Sequence, residues 1–102
     1  MTAAYLIVES NITDPEKFKD YLIAAPEVVK AFGGEYLVRG GRMKVLEGDW
    51  QPPRLTVLRF GSFEQAQAMY DSPAYVHARS LREGATACFN MVLVEGVAAS
   101  TT

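Results

Sequence analysis

Two hydrophobic periods divide the chain. Apolar residues come in short alternating runs near the start, the middle and the end, and at three- and four-residue spacing between them. Tyr5 to Glu9 is a short apolar run with β-branched Ile7 and Val8, which predicts a first strand. Thr13-Asp14-Pro15-Glu16 then offers two helix starts: Asp14 as cap with Pro15 at the first helical position, or Thr13 and Glu16 as a capping box. Phe18, Tyr21, Leu22, Ala25, Val29 and Phe32 follow at helical spacing. Pro26 falls inside this pattern without an N–H to donate, which predicts a kink or break near Ala25. Gly33-Gly34 closes the helix, because glycine takes the left-handed cap conformation at little cost.

Glu35 to Arg39 predicts a second strand, Gly40-Gly41 a turn, and Met43 to Glu47 a short hairpin partner. Gly48 to Pro53 reads as a loop, and Arg54 to Phe60 as a strand of alternating and β-branched residues. Ser62-Phe63-Glu64-Gln65 has capping-box form and opens a helix that carries Phe63, Ala66 and Met69 inward. Ser72-Pro73 restarts a short helix to about Arg82, and Gly84 breaks it. Phe89 to Val94 is the last strand, and Ala98 to Thr102 is expected to fray. No repeat, low-complexity segment or linker intervenes, so residues 1–97 read as one domain.

Strand, helix, strand, strand, helix, strand is the split βαβ order of a ferredoxin-like α+β fold. Both helices should then cover one face of an antiparallel sheet. In the first strand Leu6 and Val8 alternate with Tyr5, Ile7 and Glu9; in the last, Met91 and Leu93 alternate with Val92 and Val94. Both faces are thus largely apolar, as in a sheet covered on both sides. The chain holds no third layer, and a symmetric homodimer packed sheet against sheet supplies the cover.

Composition sharpens this picture. A chain of 102 residues buries only roughly 60–65% of its unfolded surface as a monomer. With 49% hydrophobic residues, apolar surface is left over for a partner chain. The net charge of -2 and the acidic pI give no basic footprint, so no nucleic acid is expected as partner. Cys88 is the sole cysteine, which rules out an intrachain disulfide and fits a reducing compartment. No apolar run is long enough to span a membrane. MTAAYLIVESN lacks a basic leader region and reads as strand, so the expected location is cytoplasmic.

The candidate chemistry lies between Gly33 and Phe60. Tyr36, Arg39, Arg42, Glu47, Asp49, Trp50, Arg54 and Arg59 crowd a segment that otherwise needs only strand and turn residues. Strict alternation places Tyr36 and Arg39 on opposite faces unless the strand bulges, and aligns Arg39 with Leu37 toward a dimer cavity. There a guanidinium can grip a carboxylate through two hydrogen bonds; the plainer reading pairs it with Glu9, Glu47 or Glu95. Glu47-Gly48-Asp49-Trp50 can form a loop whose Trp50 closes over a ligand while Glu47 moves a proton. The plainer reading makes Gly48 and Asp49 a turn and Trp50 an interface anchor. Arg54 and Arg59 face opposite sides of their strand, one toward the cavity and one toward the surface. Tyr36 or Tyr5 can donate a hydrogen bond to a ligand, and Arg59 is a further binding candidate.

His77 reads as a surface residue, Cys88 as a small residue at a strand edge, and Phe18, Tyr21, Phe32, Phe63 and Met69 as core. One histidine and one cysteine make no cluster of ligands, so no metal or other cofactor is expected. No glycine-rich phosphate loop follows the first strand, which argues against nucleotide binding.

DPEKFKDY, AFGGEYLVRGG, VLEGDWQPPRLTVLRF, SFEQAQAMYDSPAY and VLVEG together resemble the DUF1330 family, over about Tyr5 to Gly96. GGxYLVRGG combined with LEGDWxPPR is the specific part. The resemblance implies the dimeric α/β-barrel superfamily, whose relatives include cofactor-free monooxygenases, lactone isomerases and haem enzymes. In some haem-binding relatives a histidine on a helix comparable to that of His77 ligates iron. Kinship of fold does not transfer a reaction. Two readings stand: a cofactor-independent enzyme acting on a small organic acid or aromatic compound, with Glu47 and Tyr36 as catalytic groups and Arg39, Trp50, Tyr5 and Arg59 as binding groups, or a non-catalytic homodimeric metabolite-binding domain.

Overall fold

A computed structural model describes residues 2–98. The elements are β1 (Ala4–Ile12), α1 (Pro15–Ala31), β2 (Glu35–Arg39), β3 (Leu55–Phe60), α2 (Phe63–Asp71), α3 (Pro73–Ser80) and β4 (Thr86–Glu95). The strands form one antiparallel sheet in the order β2-β3-β1-β4. This is the ferredoxin-like α+β arrangement that the element order predicts. Among the described residues no helix is long and apolar enough to cross a membrane. The tail expected from Ala98 lies, from residue 99 onward, outside the described residues.

Alternation sorts the sheet into two faces. Ala4, Leu6, Val8 and Ser10 of β1, with Leu58 and Phe60 of β3, are buried beneath the helices. Phe89, Met91 and Leu93 of β4 pack against this core, and Leu6 lies between Leu58 and Leu93 in register. The opposite face carries Tyr5, Ile7, Leu55, Val57, Val92 and Val94, with Val92 59% exposed. Glu9, Arg59 and Asn90 share that face, so it is an apolar patch bordered by polar groups.

Local chemistry sets the helix ends. The Asp14 carboxylate accepts from the Lys17 N–H at 3.1 Å, with Pro15 at the first helical position, so the Asp14 start is the one used. Phe18, Tyr21, Ala25 and Val29 form the buried stripe of α1. At the far end Gly34 N–H reaches Val29 O at 2.9 Å and Gly33 N–H reaches Lys30 O at 3.0 Å, with Gly33 at φ 77°. That double bond pattern satisfies the last carbonyls of α1 and requires a left-handed residue at Gly33. Ser62 and Ser72 each accept a backbone N–H three residues on, and so cap α2 and α3. Gln65 does not complete a capping box with Ser62; its amide donates to the Phe32 carbonyl and ties α2 to the end of α1.

Two expectations are corrected. Of the kink or break expected near Ala25, the break does not occur: α1 runs unbroken through Pro26. Proline removes the bond that residue 26 would donate to the Leu22 carbonyl, and Arg39 Nη2 donates to that carbonyl instead, at 3.2 Å. Nor does Met43 to Glu47 pair as a hairpin strand. Residues 41–54 are an irregular excursion between β2 and β3, exposed except at half-buried Pro52 and Arg54.

Candidate functional site

A cleft lies between α1, α3 and the helix-facing side of the sheet. Its enclosed free volume is about 40 Å³, room for roughly three waters, and it opens to solvent. Phe18, Leu22, Met69, Phe89 and Met91 give it apolar walls. Tyr21, Tyr36, Tyr75, Arg39 and Arg54 give it polar groups.

A bulge builds this site. Tyr36 pairs with Leu58, but the register then slips so that Val38 pairs with Val57 and Arg39 with Thr56. Leu37 is the extra residue, and strict alternation fails there. Tyr36 and Arg39 therefore share the helix-facing side, and the Arg39 guanidinium sits 4.6 Å from the centroid of the Tyr36 ring. The expectation that Arg39 aligns with Leu37 toward a cavity between two sheets is overturned by this bulge. Cation–π contact and the Leu22 carbonyl together hold Arg39 at the mouth.

Arg54 approaches from the start of β3. Counting back from Thr56 and buried Leu58 by alternation puts it on the cleft side. Its guanidinium lies against Gly40, where a Cβ would come within 3.2 Å of Cζ. Gly40 also has φ 67°, so both the turn and the close approach call for glycine. Arg59 is on the opposite face and bridges Glu35 at 3.2 Å. That sorts the two arginines as their odd spacing predicts. Among the described residues neither Arg39 nor Arg54 has a carboxylate within ion-pair distance.

Burial pushes the Tyr36 hydroxyl above the ordinary tyrosine value, with Arg39 and Arg54 pulling the other way. At neutral pH Tyr36 is thus a neutral phenol with a proton to donate. Deeper in, the hydroxyls of Tyr21 and Tyr75 lie 2.5 Å apart. Burial, then the neighbouring Tyr75, push Tyr21 far upward, and the Arg82 guanidinium opposes the shift. Arg82 stacks 3.6 Å over Phe89 and lies 5.1 Å from the Tyr21 ring centroid.

The other candidates lie elsewhere. Glu47 and Trp50 line a shallow depression formed by the 41–54 excursion, with Met43, Leu46 and Leu55. The Trp50 indole N–H donates to Glu9 Oε2 at 3.1 Å, and Asn90 donates to Glu9 Oε1 at 3.1 Å, so Trp50 is moored to the sheet's open face. Tyr5 and Arg59 are cross-strand neighbours on that same face. His77 is exposed on α3, and Cys88 is half-buried. The six candidates thus fall into three places, and only Tyr36 and Arg39 meet in the cleft. Tyr21 and Tyr75 were not among them. Helical spacing marks Tyr21 as core, and the signal it carries is the hydroxyl, which needs a partner when buried.

The family model described as a domain of unknown function, DUF1330, matches residues 3–97. No curated protein matches the chain. Among solved structures, a protein of unknown function from Rhodopseudomonas palustris is similar at 16% identity and TM-score 0.72, over 94% of this chain and 83% of that one. A dimeric ferredoxin-like protein of unknown function from Thermobifida fusca is similar at 14% identity and TM-score 0.59, over 90% and 89%. An antibiotic biosynthesis monooxygenase is similar at 13% identity and TM-score 0.54, over 95% and 99%. At such identities the likeness concerns the fold alone. With nearly its whole length matched, the chain belongs to the DUF1330 family.

Proposed function

We propose that this protein is a homodimeric binder of small organic anions, with Arg39 and Arg54 gripping a carboxylate at the mouth of the helix–sheet cleft. The observation that carries the reading is the bulge at Leu37, which brings Arg39 beside Tyr36 in the cleft that Arg54 also lines. Two guanidinium groups without a carboxylate partner among the described residues favour an anion between them. Apolar walls behind them favour a ligand with a hydrocarbon or aromatic body. The second subunit covers the open face of the sheet, as the Thermobifida fusca neighbour's description as dimeric supports.

A second reading, a cofactor-independent enzyme acting on the same ligand, is favoured by Tyr36. Its neutral phenol stands beside a cation that would stabilise a phenolate, which is the arrangement of a proton donor. Glu47, outside the cleft, would act in such a reaction only from a partner subunit or after movement of its loop.

Calorimetric titration with benzoate and short-chain carboxylates tests the binding reading. Arg39→Met keeps the apolar stem and removes the charged fork; it should weaken carboxylate binding by about 1.5–3 kcal/mol, the scale of a charged hydrogen bond. Unchanged affinity in Arg39→Met and Arg54→Met would reject the anion site.

A further inference from the structure

We infer that the Tyr21–Tyr75 hydroxyl pair is a second polar contact of the cleft, so that its ligand is an acid carrying a further oxygen function, a phenol, enol or carbonyl. The inference rests on the anion-site reading and extends it inward. Both tyrosines line the cavity, and their rings come from different elements, α1 and α3, meeting edge to face at 6.3 Å. Tyr21 is 9% and Tyr75 1% exposed, so both side chains are buried.

Two phenols carry two protons, and one of them lies between the oxygens. The other is free to point away from the pair. Arg82 decides which one. It carries only donors and lies beside Tyr21, where it also opposes the rise of that hydroxyl's pKa. A cation there favours lone pairs of Tyr21 turned toward it and the Tyr21 proton turned away, onto Tyr75. Tyr75 then accepts from Tyr21 and keeps its own proton for a third group. A hydroxyl that already accepts a hydrogen bond is polarised into a better donor. The chain thus runs from Arg82 through Tyr21 to Tyr75 and ends on a donor that suits a ligand oxygen. Tyr75 and Tyr36 line the same cleft as Arg39. Arg82 works through Tyr21 and is a positioning residue.

The test compares benzoate with 3- and 4-hydroxybenzoate by calorimetry on the intact protein. The better hydroxybenzoate should bind about tenfold tighter than benzoate or more, the size of one hydrogen bond to a charged or polarised oxygen. In Tyr75→Phe that preference should fall to about one. Tyr21→Phe, which leaves the Tyr75 hydroxyl but removes the group feeding it, should reduce the preference in part, and it serves if Tyr75→Phe does not fold. Benzoate binding with no gain from either hydroxyl, or a preference that survives in Tyr75→Phe, overturns the inference and leaves the anion site standing. Failure of all three acids to bind overturns both.

Discussion

A buried tyrosine, Tyr21, and a half-buried one, Tyr36, set the protein's response to alkali. Burial raises Tyr21 above its ordinary value of 10.0, and Tyr36 shifts the same way. A raised value means that the folded chain keeps protons which the unfolded chain releases. That stability is fully present below pH 10 and is lost as pH rises above it, because only the unfolded state then gains from ionising. Urea unfolding from about pH 8 to about pH 11 should show stability nearly flat at first and falling steeply above about pH 10, with a shallower fall in Tyr21→Phe. An equal slope in the variant would contradict the burial of that hydroxyl. At neutral pH Tyr21→Phe strands the Tyr75 hydroxyl in the core and should cost about 1–3 kcal/mol. The double change Tyr21→Phe with Tyr75→Phe should cost less than the sum of the two single changes, since the second removes a group already orphaned.

At the scale of the element, Pro26 and the bulge at Leu37 are linked. The carbonyl that Pro26 leaves open on Leu22 is the one that Arg39 takes, and the bulge is what turns Arg39 toward α1. Pro26→Ala should close the helix ladder and raise the unfolding free energy by about 1–3 kcal/mol, the scale of proline in a helix interior. It should also loosen Arg39 and weaken benzoate binding. A gain in stability with unchanged binding would show that the Leu22 contact does not position the arginine. Much of this level is legible in the sequence. Asp14-Pro15, Gly33-Gly34, Ser62 and Ser72 declare the helix ends, and Leu6 and Val8 declare the core face. The bulge is not legible, because a period of two read through EYLVR gives no sign of an inserted residue, and the insertion reverses the face of Arg39. MKVLE at residues 43–47 has strand-like alternation, yet alternation cannot supply a neighbour to pair with. Tyr21 and Tyr75 are hidden for another reason: their aromatic bodies satisfy the core pattern, and only the fold brings the hydroxyls of α1 and α3 together.

For the whole molecule, the helices cover one face of the sheet, and the other exposes an apolar patch beside Glu9, Arg59 and Asn90. The open face joins Tyr5, Ile7, Val57, Val92 and Val94 with the moored Trp50. A homodimer closed over it should sediment at about twice 11.2 kDa. Val92→Glu should shift it toward monomer, since it puts an unpaired charge where the second sheet would lie. A monomer at micromolar concentration in the unaltered protein would contradict that assembly. The two faces also offer rival places for a ligand, the helix–sheet cleft and the space between subunits. The most direct test is an NMR titration of amide-labelled protein with benzoate. Binding in the cleft predicts that the amides of Tyr36, Arg39, Thr56 and Tyr75 move together with one affinity, and that Arg39→Met abolishes the response at the same concentrations. Shifts gathered instead at Glu9, Trp50, Asn90 and Val92, with the cleft silent, would place the ligand on the open face and contradict the account.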